Sequence, residues 1–123
     1  MSHGQVTDIL IHPVKGEPSR SLPEVEVVRD GLAGDRRKKA PVHLISAEDR
    51  TPEIRANFVL EVTSAELAGW VGDRVHVGGV TLAVTGIPSG CPGVYAAVDV
   101  PGPVRLGDVA ESLGPDETVV SGR

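Results

Sequence analysis

The chain has very little cysteine and very little aromatic side chain. Cys91 is the only cysteine of 123 residues, so no internal disulfide can form. Together with an N-terminus, Met1-Ser-His-Gly-Gln5, that lacks the charged and apolar regions of a signal peptide, this predicts a cytoplasmic protein with a reduced thiol. Phe58, Trp70 and Tyr95 are the only aromatics, so the core must be aliphatic. Positive charge is not in excess: the net charge of −5 argues against a broad nucleic-acid surface. No apolar run approaches the length of a membrane-spanning helix, so no membrane partner is expected.

What is present favours strands. Valine occurs 20 times, and 15 glycines and 10 prolines supply turns. The length fits one domain, expected over residues 5–111, with a polar tail over 112–123. Val6 to His12 reads as a strand with Ile9 and Ile11 on one face, which Pro13 either ends or places at an edge. Residues 17–23 read as a polar loop. Glu24 to Arg29 alternates, with Val25 and Val27 inward. Val42 to Ile45 reads as a short buried strand, followed by a helix start capped by Ser46. Phe58 to Val62 alternates again, and the polar pair Arg55 and Asn57 leads into it. That pair could line a pocket or rim the sheet. Thr63-Ser-Ala-Glu66 has the form of a capping box, with Leu67 and Trp70 able to pack on the core. Arg74 to Thr85 reads as a hairpin turning at Gly78-Gly79, with Val75, Val77, Val80, Leu82 and Val84 inward. Val94 to Val100 reads as a strand, Pro101-Gly-Pro103 as a turn, and Val104 to Asp108 as the start of a last short strand. His3, His43 and His76 lack metal-ligand spacing.

Three stretches could carry chemistry. The first is Thr85-Gly-Ile-Pro-Ser-Gly-Cys-Pro-Gly93, where two glycines and two prolines exclude helix and central strand. It should present Cys91 in a loop on a rigid hairpin base. The second is Lys15, at a strand end beside Gly16. It is either a solvated cation or a charge aimed at a phosphate or carboxylate. The third is Gly31 to Lys39, a glycine-rich turn with Arg36-Arg-Lys-Lys39, where Asp35 could simply close the turn. Its sharper reading is an anion site.

Six segments in order resemble the MOSC domain, named for the C-terminal part of molybdenum cofactor sulfurases. They are His12-Pro-Val-Lys-Gly16, Gly31-Leu-Ala-Gly-Asp-Arg36, Arg55-Ala-Asn57-Phe-Val, Gly72-Asp-Arg-Val-His-Val-Gly78, Ser89-Gly-Cys91 and Val104-Arg-Leu-Gly-Asp108. The resemblance spans about Gln5 to Val109. It implies a mainly β fold: a distorted, largely antiparallel β-barrel with a few short helices. It also implies a molybdenum cofactor (molybdopterin) ligand, with Cys91 as metal or sulfur ligand. Lys15, Arg36 and Arg55 would bind the phosphate, and Asn57 and Ser89 would supply hydrogen bonds. Pyridoxal phosphate is associated with the family, but no site for it is readable here.

Two sharp functions and a bland one follow. In the first, Cys91 handles sulfur, by persulfide transfer or C–S bond chemistry on a small anionic substrate, with a separate sulfur donor as partner. In the second, the chain binds molybdenum cofactor as a carrier or small reductase component, with Cys91 on the metal and a separate reductase. In the third, it is a non-catalytic binding module.

Overall fold

The structure, a computed structural model, describes residues 3–36, 40–52 and 54–115. Strands dominate, as the valine content demands. β1 (His3–Ile11), β2 (Arg20–Ser21), β3 (Glu24–Val28), β4 (Gly31–Leu32) and β5 (Val42–Ser46) come first. A 3₁₀ turn (Ala47–Asp49), β6 (Phe58–Leu60) and the short helix α1 (Ser64–Ala68) follow. The hairpin β7 (Asp73–Val77) and β8 (Val80–Gly86) leads to β9 (Val94–Val100), β10 (Gly102–Arg105) and β11 (Val109–Pro115).

Seven strands close into a barrel in the order β11-β7-β8-β9-β5-β6-β1, with β1 pairing back onto β11. Closure leaves these strands no open edge to manage. All ladders in the barrel are antiparallel except β5 with β6, which is parallel. β2 extends the sheet beside β1, and β10-β3-β4 form a separate three-stranded sheet.

The inward faces make one aliphatic core that includes Ile9, Val27, Leu44, Phe58, Leu82 and Val94. Along β1 the buried positions change parity, from Gly4 and Val6 to Ile9 and Ile11. The cause is a bulge at Thr7, where the register against β6 shifts between Val6 and Asp8. One extra residue turns every later side chain to the opposite face. A second small cluster, Leu10, Ile45, Ala56 and Val59, lies apart from the main core. It covers the Leu10 face of β1, while the main core covers Ile9 and Ile11, so both faces are buried at the C-terminal end of the strand.

Several local expectations are met. Thr63 caps α1 in a reciprocal capping box with Glu66, and Leu67 and Trp70 are buried. Ser46 caps the 3₁₀ turn by accepting from the Glu48 N–H. The valines of the β7–β8 hairpin are buried while His76 is exposed.

Others need correction. Residues 17–23 are not all loop, because Arg20 and Ser21 pair with Ile11 and Leu10. Pro101-Gly-Pro103 is not a simple turn: Gly102 and Pro103 begin β10 and pair with Val27 and Glu26. Pro103 is tolerated because β10 lies at the edge of its sheet. The domain does not end at residue 111. β11 runs on to Pro115, Ser112 is buried, and its hydroxyl donates to Asp73 Oδ2 at 2.8 Å. The part of the expected tail from residue 116 onward lies outside the described residues, as do Arg37, Lys38 and Lys39 of the basic run. No helix among the described residues is long and apolar enough to cross a membrane.

Candidate functional site

Cys91 is free and exposed, as its loop composition predicts. The loop between β8 and β9 is anchored on its C-terminal side. His43 Nε2 donates to the Pro92 carbonyl at 2.8 Å, which fixes the proton on that nitrogen, because a carbonyl can only accept. Gly93 has φ +94° and lies against the Leu44 carbonyl, so any Cβ there would collide with it. The His43 ring is held in turn by an edge contact with Tyr95, centroids 5.2 Å apart. Cys91 lines a cleft of about 300 Å³ with Pro92, Gly93, Ile87, Asp49 and three residues of α1: Ser64, Leu67 and Ala68. Its walls are largely apolar. Ser64 donates its hydroxyl to Asp49 Oδ2 at 2.6 Å. Asp49 is the one charged residue among those that line it.

The other expected site residues lie elsewhere. Arg55 is exposed and lines a separate cleft of about 320 Å³, together with His12, Glu17, Ser19 and apolar Val14, Pro18, Pro52 and Ile54. Lys15 is exposed in the turn after β1 and lines neither cleft. Ser89 is exposed on the Cys91 loop and also lines neither. Arg36 is half-buried, and its Nε points at the His12 carbonyl at 3.4 Å.

Asn57 is fully buried and serves the fold. Its Oδ1 accepts from the His43 backbone N–H at 3.0 Å. Its Nδ2 donates to the Leu10 carbonyl at 3.2 Å and to Asp35 Oδ2 at 2.8 Å. Asp35 does more than close a turn. Its other oxygen accepts from the backbone N–H groups of His12, at 2.7 Å, and Arg36, at 3.0 Å. A continuous hydrogen-bonded path thus runs from the Pro92 carbonyl through His43, Asn57 and Asp35 to His12. Satisfied buried polar networks of this kind fix local geometry.

Sequence reading missed Asp35 and His12 as organising residues. The available signal for His12 was parity: it follows Leu10 on the side of β1 that the second small cluster covers. Asp35 gave none, because its partners lie 22 and 23 residues away.

A molybdopterin held by Cys91 and by Lys15, Arg36 and Arg55 would need those groups around one cavity. Cys91 and Arg55 line clefts with no residue in common, and Lys15 and Arg36 line neither. Asn57 is sealed in the core. Among the described residues, these groups do not line one common cleft. Among the described residues, too, no cluster of three or more His, Cys, Asp or Glu could hold a metal ion.

A closed barrel presenting a thiol on an anchored loop is the class that fold and site define. No family model matches the sequence, and no curated protein matches it. Solved structures do share the fold. The YuaD protein from Bacillus subtilis superposes with a TM-score of 0.75 at 16% identity, over 94% of this chain and 98% of that one. A hypothetical protein superposes with a TM-score of 0.75 at 15% identity, over 92% of this chain and 69% of that one. At such identities the likeness establishes the fold alone.

Proposed function

We propose that this chain is a MOSC-type barrel that carries sulfur on Cys91. The observation that supports this is the placement of the thiol: free, exposed, and fixed at a small cleft by Gly93 and the His43–Pro92 hydrogen bond. A sulfur carrier needs a thiol that a donor can reach and a loop that holds it ready. In the proposed step the Cys91 thiolate attacks the outer sulfur of a donor persulfide. A new S–S bond forms on Cys91, the donor S–S bond breaks, and the donor leaves as its thiolate, which takes up a proton. The cleft brings a carboxylate and no cation among its described lining residues. That favours a persulfide presented by a donor protein over the small anionic substrate expected from sequence.

The test is intact mass after incubation with a protein-bound persulfide donor, read under non-denaturing and then denaturing conditions. The expected product is one sulfur atom heavier, survives denaturation and is absent in Cys91→Ser. An unchanged mass in the wild type refutes the reading. A molybdenum-containing adduct seen only without denaturant would replace it with the cofactor reading.

A further inference from the structure

The larger cleft has its own chemistry, independent of the thiol. His12 is only 6% exposed, yet it lines this cleft. Its Nε2 lies 3.2 Å from the Ala56 carbonyl, so that nitrogen carries the proton. The other ring nitrogen, Nδ1, has no partner among the described residues. In the neutral ring it is a lone-pair acceptor. Nδ1 is not sealed from solvent, so at the cleft a ligand donor can take the place of water on it.

Among the described residues, two charges of opposite sign line the same cleft. Arg55 and Glu17 are both exposed, and neither makes a salt bridge or side-chain hydrogen bond among the described residues. They are not paired with each other. Glu17 is placed by a turn in which its N–H donates to the Val14 carbonyl at 3.2 Å. That turn contains Gly16 at φ +84°, a conformation that favours glycine. Of the remaining wall residues, Val14, Pro18, Pro52 and Ile54 are apolar and Ser19 is polar. An open volume of about 320 Å³ is at the small end of ligand sites.

We propose that this cleft binds a small zwitterion of the α-amino-acid class with an apolar side chain. The carboxylate meets the Arg55 guanidinium, whose planar fork suits it. The ammonium group meets Glu17 and donates to His12 Nδ1. The side chain rests on the proline, valine and isoleucine walls. Neither charge alone selects this class. A site for a simple anion would have no use for Glu17, and a site for a simple cation none for Arg55.

The test is an amide-resolved NMR titration of the full chain with four probes: L-leucine, L-leucinamide, N-acetyl-L-leucine and inorganic phosphate. L-Leucine should shift the amides of Gly16, Ser19 and Ile54 saturably, with a Kd on the order of 1 mM, as so small a ligand allows. Leucinamide lacks the carboxylate and N-acetyl-leucine lacks the ammonium, and each should bind at least about fivefold more weakly. Arg55→Gln should weaken L-leucine and N-acetyl-leucine but leave leucinamide unchanged. Glu17→Gln should weaken L-leucine and leucinamide but leave N-acetyl-leucine unchanged. Both residues are exposed, so neither variant endangers folding. N-Acetyl-leucine binding as well as L-leucine, phosphate alone shifting these amides, or no saturable shift up to about 20 mM each overturns the proposal. None of these results bears on sulfur transfer, because the two clefts share no residue.

Discussion

Asn57→Ala is the sharpest test of how the site is built. The resemblance implies an asparagine that hydrogen-bonds a ligand; the structure buries it completely and spends its amide on the fold. Truncation would strand the buried His43 N–H and the Leu10 carbonyl and would take one of its hydrogen bonds from Asp35. Each buried group left without a partner costs about 1–3 kcal/mol. The two backbone groups set the floor, and Asp35, which is half-buried and can reach water, adds less. An expected loss of about 3–5 kcal/mol follows, a large share of the roughly 5–15 kcal/mol that holds a domain together. Urea unfolding measures it. With a slope of about 1.5 kcal/mol/M the midpoint should fall by about 2–3 M with the slope unchanged. Asn57→Asp should be no better. It keeps the acceptor for His43 but turns the donor toward Leu10 and Asp35 into a second carboxylate oxygen. Arg55→Ala, at an exposed position, should cost under about 0.5 kcal/mol. A midpoint shift under about 0.5 M for Asn57→Ala would refute the reasoning, since it would mean that water or a rearranged loop satisfies those groups.

Gly93→Ala should cost at least about 2 kcal/mol in thermal or urea unfolding, because a Cβ at φ +94° would strike the Leu44 carbonyl. The same variant should change the rate at which Cys91 reacts with a thiol-specific disulfide reagent, while Cys91→Ser should leave stability within about 0.5 kcal/mol of wild type. Thr63→Ala removes one half of the capping box, in which Thr63 Oγ accepts from the Glu66 N–H at 3.0 Å. It should lower stability by about 1 kcal/mol in the same assay. Ending the chain after Glu111 removes Ser112–Pro115, their pairing with β7 and the Ser112–Asp73 hydrogen bond. A loss of about 2–4 kcal/mol is expected, and an unchanged unfolding curve would restore the earlier domain boundary.

What the sequence made legible was local. The β7–β8 hairpin declares itself through strict alternation around Gly78-Gly79, and the α1 cap through Thr63 and Glu66, which are three residues apart. Alternation could not place Asn57 or Arg55, which sit at odd positions, opposite in parity to Phe58, Leu60 and Val62. Strand geometry begins only at Phe58, so alternation does not reach back to Arg55, which is exposed. β11 hid because Gly114 and Pro115 resemble a frayed end. It is ordered by long-range pairing with β7 and β1, which no local pattern encodes. The exposed Cys91 loop was legible from its glycines and prolines, but the placing of Cys91 and Arg55 in two different clefts was not.

That separation follows from one topological choice. β5 and β6 are parallel neighbours, and parallel strands need a crossover of about a dozen residues. Residues 47–57 make that connection here, between the ends of β5 and the start of β6. Its first turn delivers Asp49 to the cleft that holds Cys91, while its later part delivers Pro52, Ile54 and Arg55 to the cleft that holds His12. Asn57, at its end, ties the crossover to β1 through Leu10, to β5 through His43 and to the loop after β4 through Asp35. A single connection therefore walls both clefts, and the buried asparagine holds it in place. An antiparallel β5–β6 pair could have turned in two residues, and neither cleft would have had this wall.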